Sequence, residues 1–146
     1  MKIRKAKSSE IPLIKEFIDS YEEMDVISET FSKEYYLRII NKGILLVCFN
    51  DKELIGVCFG NYNKKEKWAD LLGLVVKTNW RKKGIGSSLI NEFEKIVKEN
   101  KLVTIDLYAD KKQIKLFNEL GYTKGRTYTS FRKKFNQKQN NSKLNN

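Results

Sequence analysis

The run Leu74-Val75-Val76-Lys77-Thr78-Asn79-Trp80-Arg81-Lys82-Lys83-Gly84-Ile85-Gly86-Ser87-Ser88-Leu89-Ile90 passes from an apolar strand pattern, through a basic turn with two glycines, into an amphipathic helix pattern. Gly84 and Gly86 lack Cβ atoms, so the chain there can turn sharply and bring its N–H groups close to a ligand oxygen. The helix that follows leaves its first N–H groups unpaired and carries about half a positive charge at that end. Both effects favour an anion. Arg81, Lys82 and Lys83 add cations, and an arginine can grip a phosphate through two parallel donors. The segment from Arg81 to Ser87, including Ile85, is therefore read as a phosphate cradle. The alternative, a solvated loop that only caps a helix, gives no reason for a strand, an arginine and an amphipathic helix in this order. Two other glycine motifs fail: a dinucleotide fingerprint requires glycine where Leu89 stands, and a P-loop requires Lys directly after Gly86, where Ser87 stands.

Working outward, Ile85, Leu89, Phe93, Ile96 and Val97 make one face of the following helix. Leu102 to Tyr108 alternates as a strand, Lys111 to Leu120 reads as a helix closed by Gly121, and Tyr122 to Phe135 predicts one or two further strands. Upstream, residues 2 to 6 predict a short strand. Ser8 or Ser9 then caps a helix whose apolar face is Ile11, Ile14, Phe17 and Ile18, with Pro12 tolerated in its first turn. Ser32 caps a second helix over Lys33 to Asn41 that ends before Gly43. Ile44 to Phe49, Leu54 to Asn61 and Lys67 to Lys77 read as three antiparallel strands. This order predicts an α+β fold, helices on both faces of one twisted, mixed and mostly antiparallel sheet of roughly six to seven strands, with about four helices.

The 146 residues suit one domain, assigned to residues 1–135, with one ordinary core. From Asn136 to Asn146 the chain is almost wholly Asn, Gln, Lys and Ser and is expected to be a disordered, basic tail. No apolar run approaches the roughly 18 residues that span a bilayer, and Met1 to Lys7 is not followed by an apolar signal core, which predicts a soluble, cytoplasmic protein. The chain has no histidine, so Ser-His chemistry and His-based metal sites are excluded, and no metal is expected. Cys48 and Cys58 lie in apolar strand segments and read as buried free thiols. The net charge of +11 is sorted along the chain: residues 132–146 hold five cations and no acid, whereas Glu16 to Glu34 holds seven acids against the single base Lys33.

The run from Leu74 to Ile90 resembles the acyl-coenzyme A binding motif of the GNAT superfamily of N-acetyltransferases, in which Arg or Gln, two residues, Gly, any residue, then Gly or Ala follow the fourth strand. Ile114-Lys115-Leu116-Phe117-Asn118-Glu119-Leu120-Gly121-Tyr122 is similar to that superfamily's second motif, and with Ile3-Arg4-Lys5-Ala6 the resemblance covers residues 2–135. It implies a GNAT-like sheet whose fourth and fifth strands splay apart near the thioester. The backbone of Leu74, Val75 and Val76 would then pair with the pantetheine arm, and Arg81 with the N–H groups from Lys82 to Ser87 would hold the pyrophosphate.

The implied activity is direct transfer of an acetyl group from acetyl-coenzyme A to an amine. An amine attacks only when neutral, and a lysine-like amine has a pKa of about 10.4, so a base is needed. Asp70, on the fourth strand where relatives carry a glutamate, is the first candidate base, and it also reads as a surface strand carboxylate; Asp106 and Glu66 are alternatives. Relatives often place a tyrosine in the second motif to protonate the leaving thiolate, and here that cofactor-contacting position is Phe117. Tyr108 or Tyr122 is the substitute, although each also reads as half-buried core. Asp110 stands where relatives frequently have Asn against the pantetheine.

The acidic stretch borders the acceptor side in this superfamily, which implies a basic small molecule or a positively charged peptide as acceptor, within a possible homodimer. Two other classes stay open. A non-catalytic acyl-coenzyme A sensor follows from Phe117, and a nucleic-acid or ribosome-binding module follows from the basic tail and a pI of about 9.6.

Overall fold

The structure, a computed structural model, describes residues 1–21, 31–133 and 135. A β-meander forms its centre because three apolar runs are joined by tight turns. Strand β1 (Lys2–Lys5) lies at one edge, followed in space by β2 (Ile44–Asn50), β3 (Glu53–Asn63), β4 (Trp68–Val76) and β5 (Thr104–Leu107). The order in the sheet is the order in the chain. The first four strands pair antiparallel, and β5 joins β4 in parallel because a helix carries the chain back across the sheet.

Four α-helices are present among the described residues: α1 (Ile11–Asp19), α2 (Lys33–Lys42), α3 (Ile85–Glu99) and α4 (Ile114–Glu119). Pro12 sits in the first turn of α1, where its missing N–H costs nothing. The Ser32 hydroxyl accepts from the Tyr35 N–H at 3.2 Å and caps α2.

Strands β2 and β3 are buried on both faces, so they read as continuous apolar runs. On one face Ile44, Leu46, Cys58, Ala69 and Leu71 pack against Ile85, Leu89, Ile90, Phe93, Ile96 and Val97 of α3, with Phe117 of α4. On the other, Leu45, Val47, Val57 and Phe59 pack against Ile11, Ile14 and Ile18 of α1 and Tyr36 and Ile39 of α2. Cys48 and Cys58 are buried free thiols, and burial pushes both thiols up from their ordinary pKa.

Among the described residues the sheet has five strands rather than six or seven. Residues 122–133 form no strand, and residues 123–133 are exposed throughout. The alternation there satisfies local strand preference, but β5 is only four residues long. So short an edge offers few rungs against an ordering cost of about 1–2 kcal/mol per residue. The expected disorder of residues 136–146 lies outside the described residues.

Candidate active site

The cradle is built where β4 ends. Residues Thr78–Trp80 make one 3-10 turn, and the basic loop follows. Gly84 caps α3 with φ +81°, in the left-handed region, and a Cβ there would meet nothing within 4 Å. The requirement for glycine at 84 is therefore one of backbone conformation, not of space. Lys82 also takes positive φ, at +59°. The first hydrogen bond of α3 runs from the Ser88 N–H to the Gly84 carbonyl at 3.0 Å. The N–H groups of Ile85, Gly86 and Ser87 thus have no protein acceptor among the described residues. Lys83 Nζ stands 5.0 Å from the centre of the Trp80 ring, at the rim of the same loop.

Strand β4 supplies the second component. Pairing of β5 with β4 runs from Trp68↔Thr104 to Leu71↔Leu107 and stops, so β4 continues through Leu72–Val76 without a neighbour on that side. The β3–β4 register slips at Leu72, since Gly60 faces Leu71 while Phe59 faces Gly73. A bulge of this kind bends its strand, here at the point of splay. The Lys77 N–H donates to the Ile55 carbonyl at 2.9 Å. Backbone groups alternate sides along a strand, so Val75 turns toward β3 like Lys77, and Leu74 and Val76 turn toward the open edge. A Cβ placed on Gly86 would lie 3.8 Å from the side chains of Leu74 and Leu116 and 3.9 Å from Val76. Cradle, open strand edge and α4 therefore converge at Gly86.

Asp70 faces the other way. Ala69 and Leu71 point into the α3 cluster, and alternation turns Asp70 toward the face of α1 and α2. Those helices pack on β2 and β3, and among the described residues Asp70 is half-buried and Asp106 exposed beyond them on the sheet. Asp70 pairs with Asn61 on β3 and with Asp106 on β5. The Asp70–Asp106 rung is the last but one before the strands part, so the backbone of Asp70 stands about two residue rises, ~7 Å, from the first unpaired position of β4. Desolvation first, and the Asp106 charge second, hold the Asp70 carboxyl above the usual carboxylate range.

The remaining sequence-predicted residues take different positions. Phe117 is buried in the core, its ring 5.3 Å from that of Tyr122. Tyr108 follows directly on the last β4–β5 rung and is 88% exposed, with its ring edge-on to Tyr128. The Tyr122 hydroxyl is buried, and its pKa is pushed up first by that burial and then by the nearby Glu94 carboxylate. Asp110 Oδ1 accepts from the N–H groups of Lys112 (2.9 Å) and Gln113 (3.1 Å), which opens the turn into α4. Glu66 lies in the exposed β3–β4 turn, its N–H donating to Asn63 Oδ1. Of the acidic stretch, Glu16, Asp19 and Glu34 are exposed, while Glu22, Glu23, Asp25 and Glu29 lie outside the described residues. Arg81 donates from Nε to the Val76 carbonyl at 2.9 Å, and its guanidinium stands over the Tyr21 ring. The places of Tyr21 and Asn61 were not foreseen from sequence, because neither a ring under a cation nor a cross-strand neighbour leaves a local pattern.

The model of the acetyltransferase (GNAT) family matches residues 12–122. A comparison with curated proteins finds no match. Among solved structures, the chain is similar to an aminoglycoside acetyltransferase from an uncultured soil metagenomic sample in complex with sisomicin, at 19% identity, covering 92% of this chain and 96% of that one, with a TM-score of 0.69. It is also similar to the PaiA N-acetyltransferase of Thermoplasma acidophilum in complex with coenzyme A, at 25% identity, covering 82% and 86% of the two chains, with a TM-score of 0.66. An acetyltransferase of Trypanosoma brucei matches at 14% identity over 90% of this chain and 98% of that one, with a TM-score of 0.70.

Proposed function

Because the chain belongs to the acetyltransferase (GNAT) family, we propose that it transfers an acetyl group from acetyl-coenzyme A to a primary amine of a basic small molecule or a positively charged peptide. The observation that carries this reading is the convergence at Gly86. Three undonated helix N–H groups and an unpaired strand edge meet there, as a diphosphate followed by an amide-bearing arm requires. The N–H groups of Ile85, Gly86 and Ser87 receive the diphosphate, with Arg81, Lys82 and Lys83 supplying positive charge around it. Leu74 offers its outward N–H and carbonyl and Val76 its outward N–H for the pantetheine, the Val76 carbonyl already accepting from Arg81 Nε, while Val75 contributes its buried side chain to the wall.

Acetyl-coenzyme A supplies an activated thioester carbonyl. Threaded through the gap between β4 and β5, that carbonyl becomes reachable from the face where Asp70 and Asp106 stand. Asp70 takes the proton from the attacking amine, directly or through one water. The amine nitrogen bonds to the acetyl carbon as the carbon–sulfur bond breaks. The thiolate is a fair leaving group, a thiol pKa being about 8.5, and Tyr108, beside the gap, or water returns its proton. Phe117 serves as packing beneath this region, not as a proton donor.

Support for a cationic acceptor comes from the Asp70 and Asp106 carboxylates and from the exposed Glu16, Asp19 and Glu34 on α1 and α2, the helices that pack on the same face of the sheet. Aminoglycosides, the substrates named for one structural neighbour, are amines of this kind. The test is a thiol-release screen with acetyl-coenzyme A against polyamines, amino acids, aminoglycosides and basic peptides, beside calorimetry with coenzyme A. We expect turnover with cationic amines that falls as salt rises, and binding that weakens on Gly84→Val, where a β-branched residue is forced to positive φ at about 1–2 kcal/mol. No heat with coenzyme A from folded wild-type protein would sink the proposal.

A further inference from the structure

Arg81 occupies an unusual junction. Its Nε donates to the Val76 carbonyl at 2.9 Å, one of the backbone groups on the open edge of β4. Its guanidinium carbon stands 5.6 Å from the centre of the Tyr21 ring. Tyr21 lies two residues beyond the end of α1 and is half-buried, its ring packed 5.2 Å from that of Phe17 on the same helix. A single guanidinium thus touches the end of the helix on the acceptor side, the last residue of β4 and the start of the basic loop. The ring quadrupole attracts a cation over its face, and the Phe17 contact fixes which way that face is turned.

We propose that Tyr21 is a positioning residue for cofactor binding: its ring face, backed by Phe17, orients the Arg81 guanidinium and so ties α1 to the diphosphate loop. The inference rests on the reading that the loop from Arg81 to Ser87 binds coenzyme A. Three consequences follow from its chemistry. The ring is needed and the hydroxyl is not, so Tyr21→Phe retains the function. The effect passes through Arg81, so it vanishes once Arg81 is gone. It falls on affinity for the cofactor and leaves the KM for the amine unchanged.

The experiment is a double-mutant cycle read by calorimetry with coenzyme A on wild type, Tyr21→Ala, Tyr21→Phe, Arg81→Ala and Tyr21→Ala/Arg81→Ala, with thermal melts to confirm folding. A cation over an aromatic ring at a partly exposed site predicts a loss of affinity on the order of three- to fivefold for Tyr21→Ala. Tyr21→Phe binds as wild type, and the double variant binds as Arg81→Ala does. Wild-type affinity in Tyr21→Ala, an equal loss in Tyr21→Phe, or additive losses in the double variant would each overturn the positioning role while leaving the cofactor site standing. Absence of coenzyme A binding by folded wild type would instead remove the cofactor site itself, and the inference with it.

Discussion

At the scale of single residues, two carboxylates, Asp70 and Asp106, face each other on adjacent strands. Asp70 is desolvated by its half-buried place on β4 and meets the negative charge of Asp106 across the rung, and both effects favour its protonated form. If Asp70 is the base, the acid limb of the rate-against-pH profile follows its titration. Asp106→Asn then moves that limb to lower pH, because a neighbouring anion is lost, while desolvation still keeps it above an ordinary aspartate. An unmoved limb in a kcat/KM profile would assign the base elsewhere. Linkage gives an independent check. A carboxyl whose folded pKa is raised contributes its stability below the unfolded value near 3.8 and loses it as pH rises through the folded value. Asp70→Asn should therefore melt slightly higher than wild type at pH 8, with the gap closing toward pH 4, even as activity falls. The identities of both aspartates were plain in the sequence. Their shared rung was not, since register between distant strands is fixed by packing.

At the scale of elements, the site depends on how β4 is held on either side. Gly60 on β3 lies against β4, where a Cβ would fall 2.0 Å from the Asp70 carbonyl oxygen and 2.9 Å from Phe93. Backbone cannot yield as a flexible side chain does, so Gly60→Ala is expected to cost on the order of 1–3 kcal/mol, measurable as a lower midpoint in urea. The same change pushes β4 at the residue that carries the carboxylate, so activity should fall further than stability alone explains. Helix α3 was legible almost to its ends because fifteen residues repeat an apolar face. Strand β5, expected over seven residues, has four: Leu102 and Val103 precede it, although the Val103 N–H still donates to the Lys67 carbonyl at 2.8 Å, and Tyr108 follows the last rung. Pairing ends after Leu107, which leaves the Leu72–Val76 edge of β4 without a strand neighbour on that side.

At the scale of the whole molecule, among the described residues, helices on both faces of a five-stranded sheet leave one region without a helix over it, at β4 and β5, where Asp70, Asp106 and Tyr108 lie. No helix among the described residues is long and apolar enough to cross a membrane. Residues 123–133, exposed and without a strand partner, should exchange their amide hydrogens within the fastest class, while the buried residues from Leu54 to Gly60 of β3 exchange only through global opening. Strong protection of residues 127–131 in hydrogen exchange would instead mean that this segment pairs with an edge. By itself, the sequence determined the layered fold class, the free thiols, the helix faces and the glycine turn that leaves α3 donors open, because each follows from periodicity or from the conformational freedom of residues close together in the chain. Only the tertiary structure decided where β5 parts from β4, which backbone groups face the gap, that Asp106 shadows Asp70, that Phe117 is core and that Tyr21 lies under Arg81. Those depend on contacts between residues far apart in the chain, whose free energies come from the packing of whole layers and leave no trace in any local pattern.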